Sequence, residues 1–141
     1  MSVARNWREI PGRYNLIGTR CGSCSKVYFP KRSICPECRR ASVGKMEPYK
    51  LKDEGTVFSF SIIHEAPAEN SDLRPYAVAM IRTEDGILIA AQLTDMNIDE
   101  VEIGMPVHAV LRKIGEEGSE GVINYGYKFA PKRNGVPKEK V

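Results

Sequence analysis

The sequence predicts a mainly β protein in two parts: a rubredoxin-like zinc ribbon and then a five-stranded barrel of the OB type, preceded by a short helix or arm. Two observations support this prediction. Two Cys-x-x-Cys pairs lie near the start of the chain, and apolar residues alternate with polar ones from Gly55 onward. We expect the helix or arm over 1–18, the ribbon over 19–47, the barrel over 48–131 and a flexible basic tail over 132–141.

The ribbon is predicted from its four cysteines, Cys21, Cys24, Cys35 and Cys38. Each pair spans a tight turn, so both of its sulfurs can reach one ion at about 2.3 Å. Four thiolates leave no position for water, which predicts a structural zinc; iron also suits four thiolates and stays open. Residues 1–10 lack the apolar stretch of a secretory leader. We therefore expect a cytoplasmic protein whose cysteines are reduced, rather than two disulfides.

The segment before the ribbon is expected to be short and locally ordered. Trp7 and Ile10 fall on one helical face, and Pro11-Gly12 predicts that the helix ends there after at most two turns. Residues 14–17 are expected to run extended into the ribbon. Trp7 and Tyr14 then pack within the chain or contact a partner.

The barrel is predicted from five strands with period-two patterns, over 56–64, 75–83, 87–94, 107–114 and 122–129. In the first of these the core face is expected to carry Phe58, Phe60 and Ile62. Glu84-Asp85-Gly86 predicts a tight hairpin between the second and third strands. Five short strands with no long helix between them favour a small closed barrel over a sandwich.

Composition narrows the possible functions. The chain has a formal net charge of +3, and four thiolates with one divalent metal would lower it to about +1. A net charge this small disfavours non-specific binding of nucleic acid, which usually requires a concentrated basic surface. No apolar run approaches the roughly 18 residues that span a bilayer, so no transmembrane helix is predicted.

Several short blocks follow one another along the chain: Trp7-Arg8, Tyr14-Asn15-Leu16-Ile17, Phe29-Pro30-Lys31-Arg32, Gly55-Thr56-Val57-Phe58, Pro75-Tyr76-Ala77-Val78, Ala91-Gln92-Leu93-Thr94, Gly104-Met105-Pro106 and Tyr125-Gly126-Tyr127-Lys128. In this order they resemble the small zinc-ribbon plus OB-fold proteins associated with acyl-CoA enzymes. The two cysteine pairs lie among these blocks and make the combination specific. Two positions depart from the family pattern, Ser25 in place of a common Gly and Lys31 in place of a second Pro.

The resemblance implies a non-catalytic companion of thiolase-superfamily enzymes. In archaea the usual companions of the family are acetoacetyl-CoA thiolase and 3-hydroxy-3-methylglutaryl-CoA (HMG-CoA) synthase. The small protein would bridge them and aid the passage of acetoacetyl-CoA towards mevalonate and isoprenoids. From the residues themselves, contact with coenzyme A or a partner is predicted at the basic and aromatic end of the chain, although alternating aromatics are also typical of a barrel core. These residues are Tyr125, Tyr127, Lys128, Phe129, Lys132 and Arg133.

The alternative is a single-stranded nucleic-acid-binding protein, because ribbons and OB barrels are common in that role. The second and third strands offer Tyr76 and Arg82 for such binding, but also a set of alanines that favours protein packing: Ala77, Ala79, Ala90 and Ala91. Catalysis is not predicted. His64 and His108 lie outside any catalytic motif, with His64 expected at a strand end and His108 facing solvent or a partner.

Overall fold

The computed structural model describes residues 3–67 and 73–132, and within them one helix and eight strands. The predicted tail, including Arg133, lies outside the described residues except for Lys132. The elements are α1 (Val3–Asn15), β1 (Ile17–Cys21), β2 (Val27–Tyr28), β3 (Met46–Lys50), β4 (Glu54–Ile63), β5 (Tyr76–Thr83), β6 (Leu88–Gln92), β7 (Pro106–Glu116) and β8 (Ile123–Pro131). Single turns of 3-10 helix span Arg39–Ser42 and Ile98–Glu100.

Helix α1 continues through Pro11 to Asn15, so the predicted helix end at Pro11 and the predicted extended run over 14–17 are both wrong. Proline removes the hydrogen bond that the carbonyl of Trp7 would accept. The side chains of Trp7 and Pro11 face solvent, so water can donate a hydrogen bond to this carbonyl. The helix ends at Asn15, and the next residue, Leu16, takes the left-handed backbone angle φ 52° and buries its side chain in the core.

The ribbon is a three-stranded antiparallel sheet in the order β2-β1-β3. In its register Thr19 lies opposite Tyr28 on one side and Pro48 on the other, so β3 runs across the boundary predicted between 47 and 48. Gly18 permits the close approach of the strands, because a Cβ atom there would lie 2.3 Å from the carbonyl oxygen of Tyr28.

The barrel is a five-stranded antiparallel sheet in the order β6-β5-β4-β7-β8, which confirms the predicted five-stranded barrel of the OB type. The sheet closes on itself through a parallel bridge between Leu93 and Phe129, where the amide of Thr94 donates to the Phe129 carbonyl at 2.9 Å. The predicted hairpin joins β5 to β6, with Gly86 at φ 79° as this kind of turn requires.

The structure corrects the core face predicted for β4 from its alternation, namely Phe58, Phe60 and Ile62. A β-bulge between Val57 and Ser59 adds one residue to the strand. Val57 therefore points inward and is 1% exposed, whereas Phe58 is 48% exposed and stacks under the Arg82 guanidinium at 4.5 Å. Phe60 lies opposite Ala79 on the inner side but remains partly exposed.

The ribbon and the barrel share one hydrophobic core. Leu16 and Leu51 belong to the cluster of buried residues that fills the barrel, and the Leu51 amide donates to the Leu16 carbonyl at 3.0 Å. Phe29 of the ribbon packs edge to face on Tyr127 of β8, with ring centroids 5.6 Å apart. In the part of the chain that the structure describes, no helix is long and apolar enough to cross a membrane.

Candidate metal centre

The two Cys-x-x-Cys turns have matching backbone geometry. In each turn the residue four positions after the first cysteine donates its amide to the carbonyl of that cysteine at 2.8 Å, from Ser25 to Cys21 and from Arg39 to Cys35. Ser25 takes φ 61° and Arg39 takes φ 49°, a region that L residues with side chains rarely adopt. The backbone of each turn thus requires an angle that glycine adopts freely and that residues with a Cβ atom adopt at a cost.

These turns bring the four cysteine sulfurs within 4.8 Å of one another. Sulfurs bound tetrahedrally at about 2.3 Å would lie roughly 3.8 Å apart. The Cys24 and Cys35 sulfurs are 3.6 Å apart, close to that spacing and far beyond a disulfide bond of about 2.05 Å. Cys21 and Cys35 are fully buried and Cys24 and Cys38 are half-buried. The cluster therefore has the donor atoms and the spacing to hold one metal ion of the kind that thiolates bind.

The electrostatics of the cluster also suit a cation. A hydrogen bond with the Tyr28 hydroxyl, 3.2 Å from the sulfur, lowers the pKa of Cys35 to about 6. The pKa of Cys38 is raised to about 12, first because of its hydrogen bond with Cys24 and then because of burial. One thiol pKa is lowered and another is raised because neighbouring thiolates repel each other. All four can ionise together only when a cation lies between them.

Ser42 holds the second cysteine turn in place, and sequence analysis missed it. Its side chain is fully buried. The hydroxyl accepts a hydrogen bond from the Cys35 amide at 2.9 Å and donates one to the Arg39 carbonyl at 2.6 Å. The hydroxyl therefore fixes both ends of the turn. Neither a motif nor a periodic pattern marks this serine in the sequence.

The predicted aromatic and basic contact residues do not form one accessible surface. Phe129 is fully buried and Lys128 is 5% exposed. Burial lowers the pKa of Lys128, as expected for a partly desolvated amine. Tyr127 is half-buried against Phe29, and Tyr125 is exposed. The Lys132 ammonium lies 2.7 Å from the Glu54 carboxylate. Among the predicted contact residues that the structure describes, Tyr125 and Lys132 have side chains open to solvent.

Trp7 and Tyr14 both lie on the exposed side of α1. Trp7 is 70% exposed and Tyr14 is 37% exposed, and the helix has no buried residue. They line one shallow depression with residues from the start of β8. The structure thus places both predicted partner-contact residues together on the surface.

The two histidines do not form a catalytic arrangement within the described residues. His64 is exposed just after β4 ends. His108 is half-buried on β7, where its Nδ1 atom is buried without a hydrogen-bond partner in the described part of the chain. His108 therefore does not simply face solvent. Neither histidine lies among the clustered metal-ligand candidates, which are the four cysteines.

Charge is distributed very unevenly along the chain, which the net charge of +3 conceals. Residues 3–50, the helix and ribbon, carry eleven Lys and Arg against three Glu, a net charge of +8. Residues 51–132, the barrel, carry seven Lys and Arg against fourteen Asp and Glu, a net charge of −7. The prediction that used the average charge missed this asymmetry, which a count by predicted domain would have found.

The alanines of the second and third barrel strands are mostly interior. Ala77, Ala79 and Ala91 are at most 7% exposed and belong to the core cluster, and Ala90 is exposed. The expectation that these alanines offer a surface for protein packing is wrong for the three buried ones, because alternate residues of a barrel strand must fill the interior. They therefore give no argument for or against a nucleic-acid partner.

Comparison with known proteins supports the same order of domains. The family model described as the ChsH2 rubredoxin-like zinc ribbon domain matches residues 8–44. The model described as the ChsH2 C-terminal OB-fold domain matches residues 49–112. A four-cysteine cluster on a small sheet, followed by the closed five-stranded barrel, thus defines a zinc-ribbon plus OB-fold protein.

Two archaeal relatives are each described as a DUF35 domain-containing scaffold protein. The protein of Methanothermobacter thermautotrophicus is 48% identical over 130 residues, covering 92% of this chain and 96% of the relative. The protein of Methanocaldococcus jannaschii is 48% identical over 132 residues, covering 94% and 92%. The chain belongs to the DUF35 family.

The fold has a counterpart among solved structures. A chain of the structure described as the Ltp2-ChsH2(DUF35) aldolase aligns with a TM-score of 0.69 and 24% identity, covering 91% of this chain and 92% of that one. At this level of identity the likeness concerns the fold. It supports the ribbon-then-barrel architecture.

Proposed function

We propose that this protein is a non-catalytic scaffold that bridges acetoacetyl-CoA thiolase and HMG-CoA synthase. The proposal is carried by one observation: the chain is 48% identical, over nearly its full length, to proteins described as scaffolds. The bridge would let the synthase take up acetoacetyl-CoA as the thiolase forms it. The choice of these two enzymes follows from the family resemblance.

The described structure supports a binding role rather than a catalytic one. Its clustered nucleophilic side chains are the four cysteines, which are engaged with one another in the ribbon. A histidine that acts as a general acid or base is normally oriented by a hydrogen bond to a second residue. His108 Nδ1 has none among the described residues, and His64 lies on the surface.

We propose that the ion in the ribbon is zinc, held by Cys21, Cys24, Cys35 and Cys38. Four thiolates complete a tetrahedron around zinc, so the ion would order the ribbon and would not activate water. Iron is the competing metal, since it also accepts four thiolates. Metal analysis of protein purified without added metal distinguishes the two.

We propose that a coenzyme A thioester passes along β8, with Tyr125 near the start of the strand and Lys132 just beyond its other end. Of the six residues predicted there from the sequence, Tyr125 and Lys132 have open side chains. An aromatic face and an ammonium group suit an adenine ring and a phosphate. Arg133 lies outside the described residues.

Reconstitution from purified proteins tests the scaffold proposal. The chain is mixed with the thiolase and the synthase of the same organism, first singly and then together, and size-exclusion chromatography follows each mixture. We expect each enzyme to coelute with the chain, and all three to coelute in one complex that nuclease treatment leaves intact. Failure of both enzymes to coelute with the chain, or loss of the complex on nuclease treatment, would contradict the scaffold role.

A further inference from the structure

Helix α1 is amphipathic, yet it turns its polar side towards the protein. Asn6 donates to the Asn124 side chain of β8 at 3.1 Å and accepts from Arg13 at 3.0 Å, while Glu9 and Arg13 form an ion pair at 3.1 Å. A surface helix normally packs its apolar stripe on the core and leaves its polar face to water. Here the apolar stripe, with Trp7 at 70% exposure, is left uncovered.

This stripe continues onto the barrel and forms one surface, which we call the helix–strand patch. Six of its seven side chains are exposed, and together the seven line a shallow depression of about 100 Å³. Contiguous exposed apolar surface of this kind, with an aromatic centre, is typical of protein–protein contacts. The patch consists of Val3, Trp7, Ile10, Tyr14, Val122, Ile123 and Tyr125.

The charges around the patch indicate the chemistry of what covers it. Four of the seven patch residues lie on α1, whose three Arg and one Glu give the helix a net charge of +2. Arg8 is exposed next to Trp7 in the sequence, with no ion pair in the part of the chain that the structure describes. The complementary surface would have an apolar centre bordered by carboxylates.

The acidic barrel of a second copy could also complement this charge. Such a contact would join two different surfaces, so each dimer would keep one free patch and one free barrel. Head-to-tail contacts of this kind extend into chains or rings rather than a discrete heteromeric complex. A bridging function therefore favours a different protein as the occupant.

We infer that the helix–strand patch is the docking surface for an acidic, apolar-centred surface on one of the two enzymes that the chain bridges. Trp7 inserts into the partner, and Arg8 pairs with its carboxylates. This inference rests on the proposed function. Beyond that function, it assigns the surface of this chain that binds an enzyme and the chemistry of the enzyme surface that it contacts.

Trp7 is the only tryptophan of the chain and so provides its own probe. The chain is labelled with fluorotryptophan, and fluorine NMR follows its single resonance as each unlabelled enzyme is added separately. We expect this resonance to change its chemical shift with one of the enzymes. The matched control is the variant Phe58→Trp, which keeps Trp7 and adds a second probe on the outer face of the barrel beside Arg82. The control resonance should broaden as the whole complex tumbles more slowly, but it should keep its chemical shift.

Affinity measurements test the two residues separately. Trp7→Ala should weaken binding of that enzyme by about tenfold or more, as is usual for a central tryptophan. Arg8→Glu should weaken it severalfold at about 0.05 M salt and much less at about 0.5 M. The control Lys52→Glu makes the same charge change on the barrel and should leave the affinity unchanged. Both tested side chains are exposed, so folding should be unaffected.

The outcomes separate the inference from the function on which it rests. If neither enzyme coelutes with the wild-type chain, the proposed function and the inference both fail. If an enzyme coelutes but the Trp7 resonance is unchanged with either enzyme, the scaffold stands and the inference fails. A shift caused by concentrating the chain alone, or by a single-stranded oligonucleotide, would overturn the inference by assigning the patch to a second copy or to nucleic acid.

Discussion

At the scale of single residues, the metal centre shows what a local motif can and cannot reveal. The four cysteines are recognisable from the sequence because each pair closes its own turn, independently of the rest of the fold. The residue that orders the second turn is not recognisable. Ser42 follows Cys38 in a short 3-10 turn, and a buried serine there looks the same in the sequence as an exposed one.

The variant Ser42→Ala tests this role. It would leave the Cys35 amide without its acceptor in a buried place, which costs about 1–3 kcal/mol of folding free energy. We expect a chelator to remove metal from the variant faster than from the wild type, as followed with a metallochromic dye. The control is Ser33→Ala, an exposed serine in the loop before Cys35. Equal rates for the two variants would contradict the assigned role.

At the scale of elements, the strands were predictable to within a few residues and two irregularities were not. Each predicted strand overlaps an observed one, since alternation of apolar and polar residues is a local property of half-buried strands. The bulge at Phe58 interrupts this alternation and turns an aromatic outward. The helix continues through Pro11 on a side open to solvent, where water can satisfy the Trp7 carbonyl, and a rule for proline does not include this.

The bulge predicts an unusual order of mutational effects. Val57→Ala removes two methyl groups from a side chain that is 1% exposed, and should cost about 2–3 kcal/mol of unfolding free energy. Phe58→Ala removes a larger side chain but loses mainly an exposed stacking contact with Arg82, and should cost about 1 kcal/mol or less. Urea unfolding measures both. A larger loss for Phe58→Ala would mean that the alternation predicted the core face correctly.

At the scale of the whole molecule, the order of ribbon and barrel was predictable and the division of charge was overlooked. Few architectures other than a ribbon followed by a small barrel fit two cysteine pairs and then five short strands. The net charge of +3 averages a helix and ribbon at +8 with a barrel at −7. The uncovered apolar side of α1 could not be predicted either, because the pattern of a helix shows which residues share a face but not which face meets the core.

The division into ribbon and barrel predicts separate responses to loss of metal. The double variant Cys35→Ser/Cys38→Ser should bind much less than one metal equivalent, because two of four thiolates are missing. The ribbon amides should lose their dispersion in the NMR spectrum while the barrel amides keep theirs, since most of the core cluster comes from the barrel. Retention of a full metal equivalent would contradict the four-thiolate site, and unfolding of the barrel would contradict its independence.

The most direct measurement of the scaffold role asks whether this chain joins two enzymes that do not join without it. Tagged acetoacetyl-CoA thiolase is immobilised, HMG-CoA synthase is passed over it with and without the chain, and nuclease is present throughout. We predict that the synthase is retained when the chain is present and passes through when it is absent. Equal retention in the two cases, or no retention in either, would contradict the bridging function.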